Sequence, residues 1–197
     1  GTPATPMHLA IFNLANRIAR NFKIPLIIWG ENSAKEYGFK NKKDLLKKSL
    51  DKEWVKNYGV TNSTLAEDWI DKHISLKDII LYSDKQNSNF NSNSIFLADY
   101  FKWDPLNSFK IAKTKGFKEG KIAKTGLYDF ADIDDNFISI HHFLKWYKFG
   151  FSRLFDNLSL EIRNKRIKRT EALKIIKKKG FDIPKNDVKV FCKYLGI

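Results

Sequence analysis

The chain has 197 residues, with 36 Lys and Arg against 22 Asp and Glu, for a formal net charge of +14. At 43% hydrophobic and 14% aromatic residues it can build a packed core, in one sizeable domain or two small ones, which excludes a largely disordered polyelectrolyte. The single cysteine, Cys192, excludes an internal disulfide and a thiolate zinc cluster, and the apolar runs fall far short of the roughly 20 residues of a membrane span. Such a basic excess suits nucleic acid, an anionic membrane surface or a phosphorylated substrate. Here it is mostly lysine spread along the whole chain, a distribution that biased base composition also produces.

Thr5 before Pro6 is a cap followed by a first-turn proline. Leu9, Phe12, Ile18 and Phe22 then recur at helical spacing, which predicts a helix over residues 7–21. The run IPLIIW, from Ile24 to Trp29, is short, apolar and rich in β-branched residues, as in a parallel strand buried on both faces. It breaks at Gly30, and Glu31 and Asn32 follow. Open α/β sheets gather ligands at the carboxyl ends of their strands, although an ordinary turn after a buried strand reads the same way.

Residues 41–57 form a lysine-rich amphipathic pattern with Leu45, Leu46, Leu50 and Trp54 on the inward side. Residues 61–72 read as a short helix, and Ser75 with Asp78 as the capping box of another. Residues 83–94 are polar and low in complexity and read as a loop. Residues 95–100 read as a second strand or a short extended piece. Asp104 and Pro105 start a helix that runs to about Lys115 and stops at Gly116.

Residues 120–133 are irregular and lead into four carboxylates, Asp129, Asp132, Asp134 and Asp135. They suit either a divalent cation or the positive start of the next helix, and the second reading is preferred. That helix is predicted over residues 134–150, with Phe137, Ile140, Leu144, Tyr147 and Phe151 on its buried stripe. His141, Lys145 and Lys148 fall on a neighbouring stripe, about a quarter-turn away. An imidazole beside two ammonium groups suits phosphate or a carboxylate sugar; a solvated lysine face with an incidental histidine fits the spacing equally. Three helical pieces, residues 151–164, 170–179 and 186–195, close the chain.

The runs PLIIWGENSAKEYG, FLADYFKWDPLNSFKIAKTKGF, YDFADIDDNFISIHHFLKWYKFGFSRLFDNLSLEIRNKR and FCKYLGI resemble the C-terminal two-thirds of N-acetyl sugar amidotransferases linked to lipopolysaccharide O-antigen and pseudaminic acid pathways. The resemblance implies a place among the PP-loop ATP pyrophosphatases, and an α/β fold. Residues 1–100 would be part of an adenine-nucleotide α-hydrolase-like parallel sheet domain with a helical insertion, and residues 101–197 a mainly helical region. The implied chemistry is ATP-dependent. Adenylylation of a sugar N-acetyl oxygen makes it a leaving group, and ammonia from a separate glutaminase subunit displaces AMP to leave an acetamidino group.

The implied cofactors are ATP and Mg2+. The implied partners are the glutaminase and a nucleotide-linked or free N-acetyl sugar, in the cytoplasm, with no membrane or nucleic-acid partner expected. Gly30, Glu31 and Asn32 match the loop that lies against the nucleotide. His141, His142 and Asp134 are the expected catalytic residues; Lys145, Lys148, Arg153 and Asp156 the expected substrate or phosphate ligands; no metal ligand is assigned. The family's SGGKDS phosphate loop and N-terminal cysteine pairs are absent from the sequence, which implies an N-terminally truncated chain that does not hydrolyse ATP alone. Two alternatives remain: a basic RNA-binding module of a PP-loop tRNA-modifying relative, and a non-catalytic glutaminase-docking domain.

Overall fold

The computed structural model describes residues 4–38, 50, 52–59, 63–83, 92–179 and 183–197. The chain divides into two compact units, Gly1–Trp103 and Asp104–Ile197.

In the first unit, α1 (Ala4–Asn21) turns Leu9 and Ala19 into the core. Lys23 then adopts a left-handed φ of 53°, and the Ile24 amide reaches back to the Ala19 carbonyl at 2.7 Å, which closes the helix and turns the chain into β1 (Leu26–Trp29). β1 pairs in parallel with β2 (Asn93–Phe96), Leu26 opposite Asn93 and Trp29 opposite Phe96. A parallel pair needs a long crossover. Among the described residues between the strands lie α2 (Ser33–Tyr37), α3 (Lys52–Tyr58) and a 3-10 turn at Ala66–Trp69. Trp54 of α3 is the hub of the core: its ring lies 4.7 Å from Phe96, 5.8 Å from Phe12 and 5.9 Å from Tyr58. Large aromatic rings supply much buried area per residue, so a small sheet can anchor this unit.

Four expectations change here. The fold is mixed α/β but mostly helical, and among the described residues the sheet has two strands. β1 is covered on one face only: Trp29 meets Phe12 at 5.2 Å, while Leu26 and Ile28 on the other face stay 43% and 56% exposed. Of the segment predicted as a helix at 61–72, the described residues 63–72 form only the 3-10 turn. The Ser75 segment is a run of turns, although Asp78 does accept from the Ser75 amide (2.8 Å) and hydroxyl (2.7 Å). A short stretch with paired β-branched residues, Ile79 and Ile80, is a weak helix nucleus even when capped. Most of the predicted helix at 41–57, including Leu45 and Leu46, and most of the polar 83–94 loop lie outside the described residues.

In the second unit, α4 (Pro105–Thr114) is capped by Asp104, whose carboxylate accepts from the Asn107 amide at 3.3 Å, and it stops before Gly116 at φ 95°. α5 (Ile138–Phe149), α6 (Arg153–Arg163), α7 (Arg169–Lys179) and α8 (Lys185–Leu195) follow. Leu154 and Leu158 of α6 pack with Ala172 of α7, joined by Leu127, Ile162, Ile175 and Ile176. Arg166 clamps this unit. Its Nε and Nη2 donate to Glu161 at 2.5 and 2.7 Å, and its Nη1 to Asp104 at 2.7 Å, while the Tyr128 hydroxyl donates to Glu161. The Arg166 hydrogen bond holds the Glu161 carboxyl below its ordinary range. Burial works against ionisation of Asp104, but Arg166 and the α4 amides outweigh it and hold that carboxyl low as well. One guanidinium thereby ties the N-terminus of α4 to the end of α6 in fork geometry.

Candidate functional site

The buried polar side chains of the second unit gather where α5, the first turns of α6 and the 125–132 loop meet. α5 begins at Ile138, four residues later than predicted, because Asp135 spends its carboxylate on the Phe137 amide (2.7 Å) and the chain is still turning there. The inward face of α5 also differs from the prediction. Ser139, Ile140 and His142 are buried, whereas Leu144 and Tyr147 stand 42% and 69% exposed. Trp146 meets Phe155 of α6 at 6.0 Å between ring centroids. The 139–142–146 face therefore packs inward, and it carries polar groups into the unit.

Each of those groups has a partner from another element. His142 Nδ1 lies 2.8 Å from Thr125 Oγ1. Lys145 Nζ donates to Asp156 Oδ2 at 2.5 Å, with the two side chains 15% and 8% exposed, and it sits 4.6 Å from the centre of the Phe151 ring. Arg153 Nε lies 3.3 Å from Asp132 Oδ2. Asn157, 1% exposed, accepts from the Leu127 amide at 2.9 Å, and its amide nitrogen is buried without a hydrogen-bond partner among the described residues. Gly126 permits this approach: at φ 69° it presses its backbone on Asn157, and a Cβ there would stand 2.2 Å from Asn157 Oδ1.

The electrostatics follow from burial among cations. Burial disfavours the charged form of His142, and Arg153, His141 and Lys145 add repulsion, so its pKa falls to about 3 and the ring is neutral at physiological pH. Burial pushes the Asp156 carboxyl up, against the pull of Lys145 and Arg153. The cluster sets two cations beside a neutral imidazole and a hydroxyl, groups of the kind that take an anionic ligand, and here each cation is paired with a carboxylate, Lys145 with Asp156 and Arg153 with Asp132.

The structure thus brings together His142, Lys145, Arg153 and Asp156 of the sequence-selected residues. His141 flanks the cluster, its ring 5.4 Å from that of His142. Lys148 is exposed near the end of α5, and Asp134 is exposed in the turn before it; the carboxylate paired with Arg153 is Asp132 instead. Thr125, Gly126 and Asn157 carry no sequence signal that marks them as site residues. The acidic run does not collect around a cation. Lys124 Nζ donates to the Ile133 and Asp135 carbonyls at 3.0 and 2.9 Å, so an ammonium already occupies that turn.

In the first unit, Gly30 and Glu31 are exposed at the carboxyl end of β1, and Asn32 is buried, its side chain accepting from the Lys35 amide at 3.3 Å to cap α2. Neither this loop nor any group of three or more His, Cys, Asp or Glu among the described residues builds a cation site, and a capping asparagine before a five-residue helix is not a phosphate cradle. These residues alone do not fit ATP and Mg2+. No helix among the described residues is long and apolar enough to cross a membrane.

No curated protein matches the chain. Residues 119–197, which hold the whole α5–α6 cluster, match the family model described as LPS biosynthesis protein WbpG-like, C-terminal domain, and that match relates this part of the chain to lipopolysaccharide biosynthesis.

Proposed function

We propose that this chain serves an ATP-dependent amidotransferase that converts a sugar N-acetyl group to an acetamidino group in surface-polysaccharide synthesis, with ammonia from a glutaminase partner. The observation that carries the reading is that the α5–α6 cluster lies within the segment similar to the WbpG-like C-terminal domain. A cluster of Lys145, Arg153 and a neutral His142 suits the phosphate of a nucleotide-linked sugar.

In this reading Lys145 and Arg153 bind the substrate anion, and Asp156 and Asp132 hold those cations in place when the site is empty. A ring with a pKa of about 3 is a weak base, so His142 orients the substrate through a hydrogen bond, and the more open His141 is the residue offered for proton transfer. In this reading ATP with Mg2+ would be held by other parts of the complete enzyme and would supply activation of the N-acetyl oxygen, and the residues described here contribute the sugar-phosphate side of the site.

The test combines the complete enzyme, glutaminase, glutamine, ATP and an N-acetyl sugar nucleotide, and follows by mass the exchange of a carbonyl oxygen for NH. His141→Ala is expected to lower turnover with the fold intact. Unchanged turnover removes His141 from the catalytic set, and absence of the exchange in the unmodified enzyme refutes the function.

A further inference from the structure

Residues 104–197 hold 21 of the 36 Lys and Arg but only 11 of the 22 Asp and Glu, so most of the positive charge lies in the second unit. α8 displays part of it beside apolar side chains. The helix docks through Phe191 and Tyr194, whose rings meet Phe137 at 5.1 and 5.6 Å, and through Asp187, which accepts from Ser139 Oγ. At about 100° per residue, Lys185, Lys189 and Lys193 span an exposed arc of about 80° on the rest of its surface. Val190 and Tyr194 fall on the adjoining arc, past Asn186, and stand 58% and 75% exposed; Ile197, 83% exposed, follows at the helix end, its amide bonded to the Cys192 carbonyl at 2.9 Å.

The chemistry of this face selects among anionic partners. A nucleic-acid backbone rewards the lysines but gains nothing from exposed Val and Ile, and base stacking needs aromatic rings along the groove, of which this face has one. The cores of protein interfaces are depleted in lysine and take arginine instead, whereas all three cations here are lysine. An interfacial helix on a lipid surface has both features, lysines level with the phosphates and apolar side chains at the headgroup–acyl boundary.

We propose that α8 seats this protein on an anionic phospholipid surface, with Lys185, Lys189 and Lys193 against headgroup phosphates, Val190 and Ile197 entering the boundary layer, and Tyr194, held on Phe137, at its edge. This departs from the expectation of no membrane partner, which rested on the length needed to span a bilayer and not on what a surface helix needs. It stands independently of the amidotransferase reading.

The test is co-sedimentation of the full chain with equimolar phosphatidylserine–phosphatidylcholine vesicles and with pure phosphatidylcholine vesicles. Adsorption is expected to the anionic vesicles only, and to weaken as salt rises. Lys185→Gln/Lys189→Gln/Lys193→Gln should lower the affinity by about 100-fold, roughly fivefold per lysine. Val190→Ser/Ile197→Ser, at sites exposed enough to leave the fold alone, should lower it about tenfold. The proposal is overturned by absence of adsorption, or by an apolar variant that adsorbs like the parent, which would mean bulk polycation attraction. It is equally overturned if Lys174→Gln/Lys177→Gln/Lys178→Gln on α7 loses as much as the α8 triple variant, or if the α8 variants keep vesicle binding but lose purified glutaminase, which would mark a protein-docking face.

Discussion

Gly126 gives the most direct check on the geometry of the α5–α6 cluster. Its φ of 69° lies in the left-handed region, and an added Cβ would stand 2.2 Å from Asn157 Oδ1 and 3.1 Å from Arg153 Cγ. Gly126→Ala therefore carries two separate costs. Holding a non-glycine residue in the left-handed region costs about 1–2 kcal/mol. Driving Asn157 away from the Leu127 amide, which it accepts at 2.9 Å, leaves buried polar groups unmade, at about 1–3 kcal/mol.

Gly150 supplies the control. It ends α5 at φ 74° with open space where a Cβ would go, so Gly150→Ala carries the first cost alone. Urea unfolding of the full chain should show Gly126→Ala losing about 1–3 kcal/mol more than Gly150→Ala. Asn157→Ala added to Gly126→Ala should be less damaging than the sum of the single losses, by about 1 kcal/mol or more, because the clashing oxygen is gone. Equal losses at the two glycines, or strict additivity, would refute the close approach of the 125–127 loop to α6.

The pH dependence should report the buried imidazole. With the folded His142 held at about 3 against an unfolded value near 6.5, its contribution to stability is complete above pH 6.5 and is lost as pH falls toward 3, at up to about 1.4 kcal/mol per unit. His142→Gln should remove that slope from the thermal midpoint between pH 7 and 4, and an unchanged slope would show that the ring is not buried and neutral. Arg166→Met should cost about 3 kcal/mol at neutral pH by stranding Glu161 and Asp104. Because both carboxyls are lowered in the fold, that contribution is complete above about pH 4 and vanishes as pH falls through their folded values. Denaturant midpoints of variant and parent should therefore converge in acid, and a gap independent of pH would contradict the clamp. Lys145→Met should cost about 3–5 kcal/mol by leaving Asp156 buried alone, and Lys145→Met/Asp156→Leu should recover most of it. In the complete enzyme, that repaired double variant should unfold like the parent yet bind the sugar nucleotide poorly; parent-like binding would reduce Lys145 to a structural role.

What could be read from the sequence divides along the range of the interactions. The α4 boundaries are local chemistry: Asp104 caps, Pro105 opens and Gly116 stops, and the structure follows each. The last three helices lie within two residues of their predicted ends, and the parallel strand β1 lies where its β-branched run predicts. The prediction that apolar residues mark the buried face of α5 holds at Ile140 and fails at Leu144 and Tyr147, because this face is decided by partners outside the helix. His142 is drawn inward by Thr125, Arg153 is met by Asp132, and Lys145 is neutralised by Asp156 on the next helix. These pairs hold polar side chains inside the unit, and Leu144 and Tyr147 are left on the outside although they are the more apolar residues. A hydrophobic stripe shows what a helix would bury if it met only apolar neighbours. Where loop and helix supply complementary charges, as Asp132 and Asp156 do here, the polar stripe is the one that turns inward.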